Sequence, residues 1–427
     1  MVCPGARLCA LVADAYPAYT AQTIQMEAPM PALETMRVLE FTQWEAGPSC
    51  AMMLAWLGAD VVKVEPPGGE VARKLLGNGL GDSQYFMNYN ANKRGLAIDL
   101  KNPKGIALLL EMLPNFDVFI ENQGPGTVER LGLGPEVLCK LHPKLIYARI
   151  KGFGLDGPYA DYKSFDPLAQ AAAGVFSMTG APDGPPMPPG GTFADTGTGI
   201  HAALGITAAY VQQQRTGKGQ VIELSMHEVM TMFIRTQTAQ HWGEASPAAP
   251  RRTHDSIPPS GLYRCKGDGP NDYVVLLVIL ARMWQDLCRA IGRPELAEDP
   301  KFAQPLQRMQ NAAELKSIIG AWTATRDKHE VMRHLGAAGV PCSATFDTQE
   351  VFNDPHLKAR NFFEKIPHPE HGEIMMMHSP IRLSESHVQI TAAPLAGQHS
   401  RDVLQTELGL SKAQLDALCS EGVIQQK

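Results

Sequence analysis

The stretch Arg37-Val-Leu-Glu-Phe41, Ala46-Gly-Pro48, Ser49 to Leu57, Gly58-Ala-Asp60 and Val61-Val-Lys-Val-Glu65 decides the fold. Its first five residues have the β-branched and aromatic character of a short strand. A helical run follows from Ser49 to Leu57, Gly58-Ala-Asp60 turns the chain, and Val61 to Glu65 is a second strand. Strand, helix and strand with short connections are the βαβ unit of a parallel sheet. Further along, Leu96-Ala-Ile-Asp-Leu100, Asp117-Val-Phe-Ile-Glu121 and Leu145-Ile-Tyr-Ala-Arg-Ile150 repeat the strand pattern. Helical runs lie between them, at Pro103 to Met112 with Pro near its start and at Gly126 to Leu133. This alternation predicts an α/β fold with a doubly wound, Rossmann-like large domain.

Helices are expected from Asp166 to about Gln214, then a strand at Gln220-Val-Ile-Glu-Leu224. Ser225 with Glu228 has the spacing of a capping box opening the next helix. From Trp242 to Pro259 the chain turns to Ala, Pro, Ser and Arg, the composition of a linker. Gly261 to Lys266 and Tyr273 to Val278 read as a hairpin, and helices near Met283–Ile291 and Ala312–Thr323 complete a smaller α+β domain. The pattern is mixed from Gly339 to Leu383, and the tail from Ser411 to Val423 reads as a short helix.

At 427 residues there is room for two or three domains. A net charge of −6 gives no electrostatic reason to expect nucleic acid or an anionic membrane as partner. The eight cysteines, at 3, 9, 50, 139, 265, 288, 342 and 419, show neither CxxC pairs nor the His spacing of a metal site, so no metal is expected. They read as reduced thiols of a cytoplasmic protein. No apolar run reaches the ~20 residues of a membrane span. Residues 1–35 are expected to be a disordered extension. A signal peptide there would have a weak apolar region, and an upstream start codon would leave Met26, Met30 or Met36 nearer the functional beginning.

No GxGxxG follows a strand and no GxxxxGK[ST] is present, which excludes the usual dinucleotide and P-loop sites. GxSxG, HExxH and Cys–His protease signatures are also missing. One carboxylate stands out. After the loop Gly184-Pro-Pro-Met-Pro-Pro-Gly-Gly191 comes Phe193-Ala-Asp-Thr-Gly-Thr-Gly-Ile200, which leads into an apolar helix. Asp195 at that junction reads most simply as a helix N-cap, with Gly197 and Gly199 allowing a sharp turn and the close approach of a ligand. His201 on the same helix has no partner by spacing and reads as structural. Lys101, Arg130 and Lys163 fall near the carboxyl ends of expected strands, where an open α/β sheet binds ligands.

The ordered motifs Thr42-Gln-Trp-Glu-Ala-Gly-Pro48, Leu57-Gly-Ala-Asp-Val-Val-Lys-Val-Glu65, Asn90-Ala-Asn-Lys-Arg94 and Ile98-Asp-Leu-Lys101 are followed by Glu121-Asn-Gln-Gly-Pro-Gly126 and Lys151-Gly-Phe-Gly154. After these come Asp166-Pro-Leu-Ala-Gln170, Ala194-Asp-Thr-Gly-Thr-Gly199 and Thr216-Gly-Lys-Gly-Gln220. Together they resemble the class III CoA-transferase family, which includes formyl-CoA transferase, carnitine CoA-transferases and α-methylacyl-CoA racemase. The resemblance implies a large Rossmann-like CoA-binding domain (36–225), a small α+β domain with long linkers (226–335), a C-terminal segment returning to the large domain (336–427), and an interlocked homodimer. It implies a catalytic aspartate at Asp195, and CoA contacts at Glu45, Ala46, Ile98, Asp99, Leu100, Lys101, Asn122, Gly124, Arg130 and Lys163. It implies a coenzyme A thioester as substrate with a small carboxylic acid, and no permanently bound cofactor.

Within that family the racemase branch carries a His base before the Asp of Asp166-Pro-Leu; here the residue is Phe165, so transfer is expected over exchange at C2. Backbone donors for an oxyanion are expected near Ala46 or in the Thr196–Gly199 turn. Three departures stand out. Glu45 replaces the Gln of the formyl-CoA branch, bringing a charge that would repel a dicarboxylate. Pro66 stands where an Arg is often seen, so that one CoA contact is either missing or supplied by Arg73. The nearest counterpart of a glycine-rich lid is Pro258-Pro-Ser-Gly261.

Overall fold

The computed structural model describes residues 30–77, 81–251 and 258–427. The expected N-terminal extension therefore lies almost wholly outside the described residues, as does part of the expected linker.

Six strands run parallel in one sheet: β1 (Arg37–Phe41), β2 (Asp60–Glu65), β3 (Arg94–Ile98), β4 (Val118–Glu121), β5 (Ile146–Lys151) and β6 (Val221–Ser225). Three antiparallel strands, β7 (Gly261–Arg264), β8 (Tyr273–Leu276) and β9 (Cys342–Ala344), form a second sheet, and β10 (Phe363–His368) pairs with β11 (Gly372–Met377). The last strand, β12 (Ile424–Gln425), adds antiparallel to β3 through Ile424 opposite Ile98. The large sheet has the order β12-β3-β2-β1-β4-β5-β6, so the chain reverses direction of winding between β1 and β4.

The sheet is buried on both faces, as parallel sheets are. Val38, Val61, Val118, Ile120 and Ile146 face the helices Ala46–Ala55 and Phe193–Thr216, where they meet Cys50, Leu54, Ile206 and Tyr210. Their strand neighbours Leu39, Val62, Leu96, Phe119 and Tyr147 point the other way, onto Leu109, Met112 and the C-terminal residues Val403, Leu404 and Leu415. The three-stranded sheet has its own core of Tyr263, Val274, Leu276, Trp284, Leu287, Leu315, Ile319 and Leu335.

Two expectations shift. β3 begins at Arg94 and ends at Ile98, two residues earlier than its apolar run suggested, because Arg94 pairs opposite Val62. Asp99 and Leu100 thereby emerge beyond the strand end, where Asp99 accepts a bond from the Lys101 amide at 2.9 Å. The first helix starts at Ala46 rather than Ser49. Pro48 sits inside its first turn, where its missing N–H is not needed.

The strand ends also carry buried charges. Lys63 lies 2.8 Å from Glu70 and 3.3 Å from Glu40, and Lys93 is 2.9 Å from Glu40. Glu121 is held by Arg149 and Lys151, each at 2.8 Å. Such pairs stand because each ion is matched and hydrogen-bonded; removing one partner costs about 3–5 kcal/mol. They brace the loops that leave the sheet at its carboxyl edge.

Candidate active site

A ligand in an open α/β sheet sits outside the carboxyl ends of the strands where the winding reverses. Here that point lies between the loops after β1 and β4. The Asn122 side chain joins them, accepting from the Gln43 amide at 2.9 Å and donating to the Gln43 carbonyl at 2.7 Å. Lys151 fixes the second loop from below, donating to the Gln123 carbonyl at 2.6 Å. Gly126 follows at φ +70, and a Cβ there would stand 2.9 Å from the Arg130 guanidinium.

Two cavities open at this crevice. The first, of about 230 Å³, is bordered by Trp44, Ala46, Asn122, Gly124, Lys163, Phe165 and Asp195 among others. The second, of about 350 Å³, is bordered by Pro66, Glu70, Ile98, Asp99, Leu100, Lys101 and Arg130 among others. Gln43 and Gln123 line both, so the two are neighbours across the switch point. Of the eleven residues singled out from the sequence, five border the first cavity and five the second. Among the described residues, Lys101, Arg130 and Lys163 take part in no ion pair, so their charges are not consumed by the protein.

Glu45 is the eleventh, and it borders neither cavity. It is buried, and its Oε1 accepts from the hydroxyls of Thr192 and Thr196 at the start of the long helix. Burial raises its pKa, against the lowering effect of the Thr192, Thr196 and Tyr89 hydroxyls. The charge expected to repel a dicarboxylate is therefore turned away from the open space.

Asp195 is not an N-cap. The helix runs from Phe193 to Thr216 with Thr192 in the cap position, so Asp195 lies in the first turn. The amides of Ala194 and Asp195 are capped from outside, by Asp166 Oδ2 at 2.8 and 3.1 Å. This leaves the Asp195 carboxyl free of capping and open to the first cavity. Burial, then the nearby carboxylates of Glu45 and Asp166, push its pKa up to about 8. A neutral carboxyl is the expected response of an acid set among two others in a poorly hydrated place.

Nor do Gly197 and Gly199 form a turn; both are inside the helix. A Cβ on Gly199 would meet Ser49 Cβ at 2.7 Å and the Ala46 carbonyl at 2.8 Å, and one on Gly197 would meet the Phe233 ring at 2.8 Å. Gly199 lets the Ala46–Ala55 helix pack closely on this one, beside the cavity that Ala46 and Asp195 share, while Gly197 makes room for the Phe233 ring of the helix Met226–Phe233. Their place inside the helix also removes the Thr196–Gly199 amides as donors. The Thr196 amide bonds to Thr192 O at 3.1 Å, and those of the residues after it lie within the helix.

Arg73 does not replace the missing Arg at 66. It is buried, donates to Glu65 Oε1 at 2.8 Å and to the Pro394 carbonyl at 3.0 Å, and pairs with Asp82. Pro258-Pro-Ser-Gly261 is no lid in this structure; Ser260 is buried and accepts from the Val278 amide at 2.8 Å, tying the segment to the small sheet. His201 is structural as expected, bonded to Gly197 O at 2.7 Å.

Asp166, Lys151, Trp44, Tyr85 and Tyr89 shape the site but were not singled out from the sequence. The Tyr89 phenol is raised in pKa by burial and by Glu45; Tyr85 is raised by burial, Glu45 and Asp195. The motif around Asp166 held a signal, since a carboxylate followed by Pro at a helix start is a common anchor for other backbone amides. No local pattern marks Tyr85 or Tyr89.

The sequence matches the family described as CoA-transferase family III over residues 33–400. Formyl-CoA:oxalate CoA-transferases of Streptomyces avermitilis and Streptomyces coelicolor are each 40% identical over 408 residues, covering 92% of this chain and 99% of theirs. A crystal structure of a CaiB/BaiF family protein from Brucella suis superposes with a TM-score of 0.77 at 30% identity, covering 89% of this chain and 100% of that one.

Proposed function

The chain belongs to CoA-transferase family III, and on that premise we propose that it moves CoA from an acyl-CoA thioester to a free carboxylic acid through covalent intermediates on Asp195. One observation carries the reading. Asp195 shares a cavity with Ala46, Asn122, Gly124 and Lys163, and that cavity adjoins a second one bearing Lys101 and Arg130. The arrangement suits a ligand whose thioester lies at Asp195 and whose anionic end lies at the unpaired cations.

Ionised Asp195 attacks the thioester carbonyl, forming an acyl–aspartyl anhydride and CoA thiolate. The thiolate attacks the aspartyl carbonyl, which expels the donor acid and leaves an aspartyl–CoA thioester. The acceptor carboxylate attacks that thioester to form a new anhydride and thiolate. Attack of the thiolate on the new acyl carbonyl releases product and restores Asp195. Each tetrahedral step needs an N–H donor. The start of the Ala46–Ala55 helix supplies it, because the first amides of a helix lack intrahelical acceptors and Ala46 borders the same cavity.

The relatives act on formyl-CoA and oxalate by name. For this chain the proposed acids are small, since about 230 Å³ around Asp195 must also take the end of the CoA arm. The two-domain layout, the interlocked homodimer and the cytoplasmic location complete the proposal. The absence of any membrane-crossing helix among the described residues accords with the last of these.

Racemisation at C2 is the second reading. Phe165, which would have to be a base for it, borders the cavity as an aromatic ring. The deciding experiment incubates wild type and Asp195→Ala with acyl-CoA, then hydroxylamine or borohydride, and measures the intact mass. Transfer requires an aspartyl adduct in wild type alone. An Ala variant that still transfers CoA would exclude it, and deuterium wash-in at C2 would favour the racemase.

A further inference from the structure

Trp44 has an unusual backbone: its φ is +67, in the left-handed region that bulky side chains rarely enter. Such a conformation costs on the order of 1–3 kcal/mol and persists where the surroundings enforce it. The enforcing group is visible. The Trp44 amide donates to Glu70 Oε2 at 2.9 Å, and the other Glu70 oxygen lies 2.8 Å from the fully buried Lys63 ammonium. The result is to hold the indole at the first cavity, where it meets the Phe165 ring edge to face at 5.9 Å. Phe165 is 52% exposed, so the pair forms a wall at the open side of the space that holds Asp195. The next residue, Glu45, turns the opposite way and sits behind Asp195. One strained step in the backbone thus places an aromatic ring on the ligand side and a carboxylate on the protein side.

We propose that Trp44, backed by Phe165, is a specificity-determining residue: its ring limits the bulk of the carboxylic acid and acyl group that can reach Asp195. The proposal rests on the transfer reading and adds the size limit to it. The site accepts short, unbranched acids and excludes branched or aromatic ones by contact with the indole. A wall of two rings packed edge to face is stiffer than one of aliphatic side chains, because each ring has only two side-chain torsions and the pair fixes both.

The test uses the full-length protein and an acyl-CoA donor that labels Asp195 in wild type. CoA transfer is measured to propanoate, 2-methylpropanoate and benzoate. Trp44→Gly removes the ring at a φ that glycine adopts freely, so the variant is expected to fold and its melting temperature checks this. The ratio of kcat/KM for 2-methylpropanoate and benzoate over propanoate is expected to rise by about tenfold or more, the scale on which a pocket discriminates by size. Phe165→Ala reads the same wall from the half-exposed ring and is expected to shift the ratio in the same direction by less. Unchanged ratios in both variants, with the wild-type adduct still formed, would overturn the size limit alone. A wild type that forms no adduct would overturn the transfer reading and this proposal with it.

Discussion

Replacing Asp195 by Asn is expected to stabilise the protein, and to do so in a way that depends on pH. Burial, Glu45 and Asp166 hold the Asp195 carboxyl at about 8, against an ordinary value of 3.8. An acid whose folded pKa is raised binds its proton more tightly when folded. Its contribution to stability is therefore fully present below the unfolded value and is lost as pH rises through the folded one. At pH 7 that is just over three pH units at about 1.36 kcal/mol each, or roughly 4 kcal/mol as an upper bound. Asn keeps the shape and cannot ionise. Thermal melts of wild type and Asp195→Asn at pH 5, 6, 7, 8 and 9 should show a small gap at pH 5 that widens to pH 8 and then levels. Reading the difference between the two proteins cancels most of the contribution of Glu45, whose pKa is also raised. Melting temperatures serve better than one unfolding free energy in a chain with more than one core. A gap that does not change with pH, or an Asn variant that melts below wild type at pH 8, would refute the raised carboxyl. A stabilising loss of the nucleophile is also what a strained catalytic group predicts.

The same carboxyl sets the rate profile: kcat/KM for CoA transfer is expected to rise about tenfold per pH unit below about 8 and then flatten, as the attacking carboxylate forms. Glu45→Gln removes one of the charges that raise Asp195 and should move that limb to lower pH by about one unit; a stationary limb would show that Glu45 does not reach Asp195. Gly199→Ala places a methyl group 2.7 Å from Ser49 and 2.8 Å from the Ala46 carbonyl. Despite the better helix propensity it should destabilise by about 1–3 kcal/mol and lower kcat by parting Ala46 from Asp195. Arg130→Gln and Lys101→Gln should each raise KM for the acyl-CoA by about three- to tenfold with little change in kcat, and the effect should shrink in high salt.

The sheet was legible because its signals are local. Arg37–Phe41 needs no distant residue to be read as a strand, and Gly58-Ala-Asp60 turns the chain whatever lies around it. The boundaries of β3 were not legible, since the register with β2 decides which residues count as strand and the apolar run continues past it. The cations were legible in the same way as the strands. Lys101, Arg130 and Lys163 each follow a strand end by sequence, and two of them border one cavity and the third the other. The roles of Gly197 and Gly199 were misread as a turn because a glycine that frees a backbone and a glycine that admits a neighbour look alike in sequence.

By itself, the sequence determined that this is a doubly wound α/β protein of CoA-transferase family III and that Asp195 is the carboxylate to watch. Periodicity, breakers and ordered motifs are properties of short stretches, and they survive without a partner. Only the tertiary structure decided the state of that carboxylate. Asp166 caps its helix from 29 residues away, Glu45 raises its pKa from 150 residues away, and Glu70 bends Trp44 to wall its cavity. A pKa, a capped amide and a strained φ depend on what lies within a few ångströms, and the fold assembles those neighbours from segments that no local pattern connects.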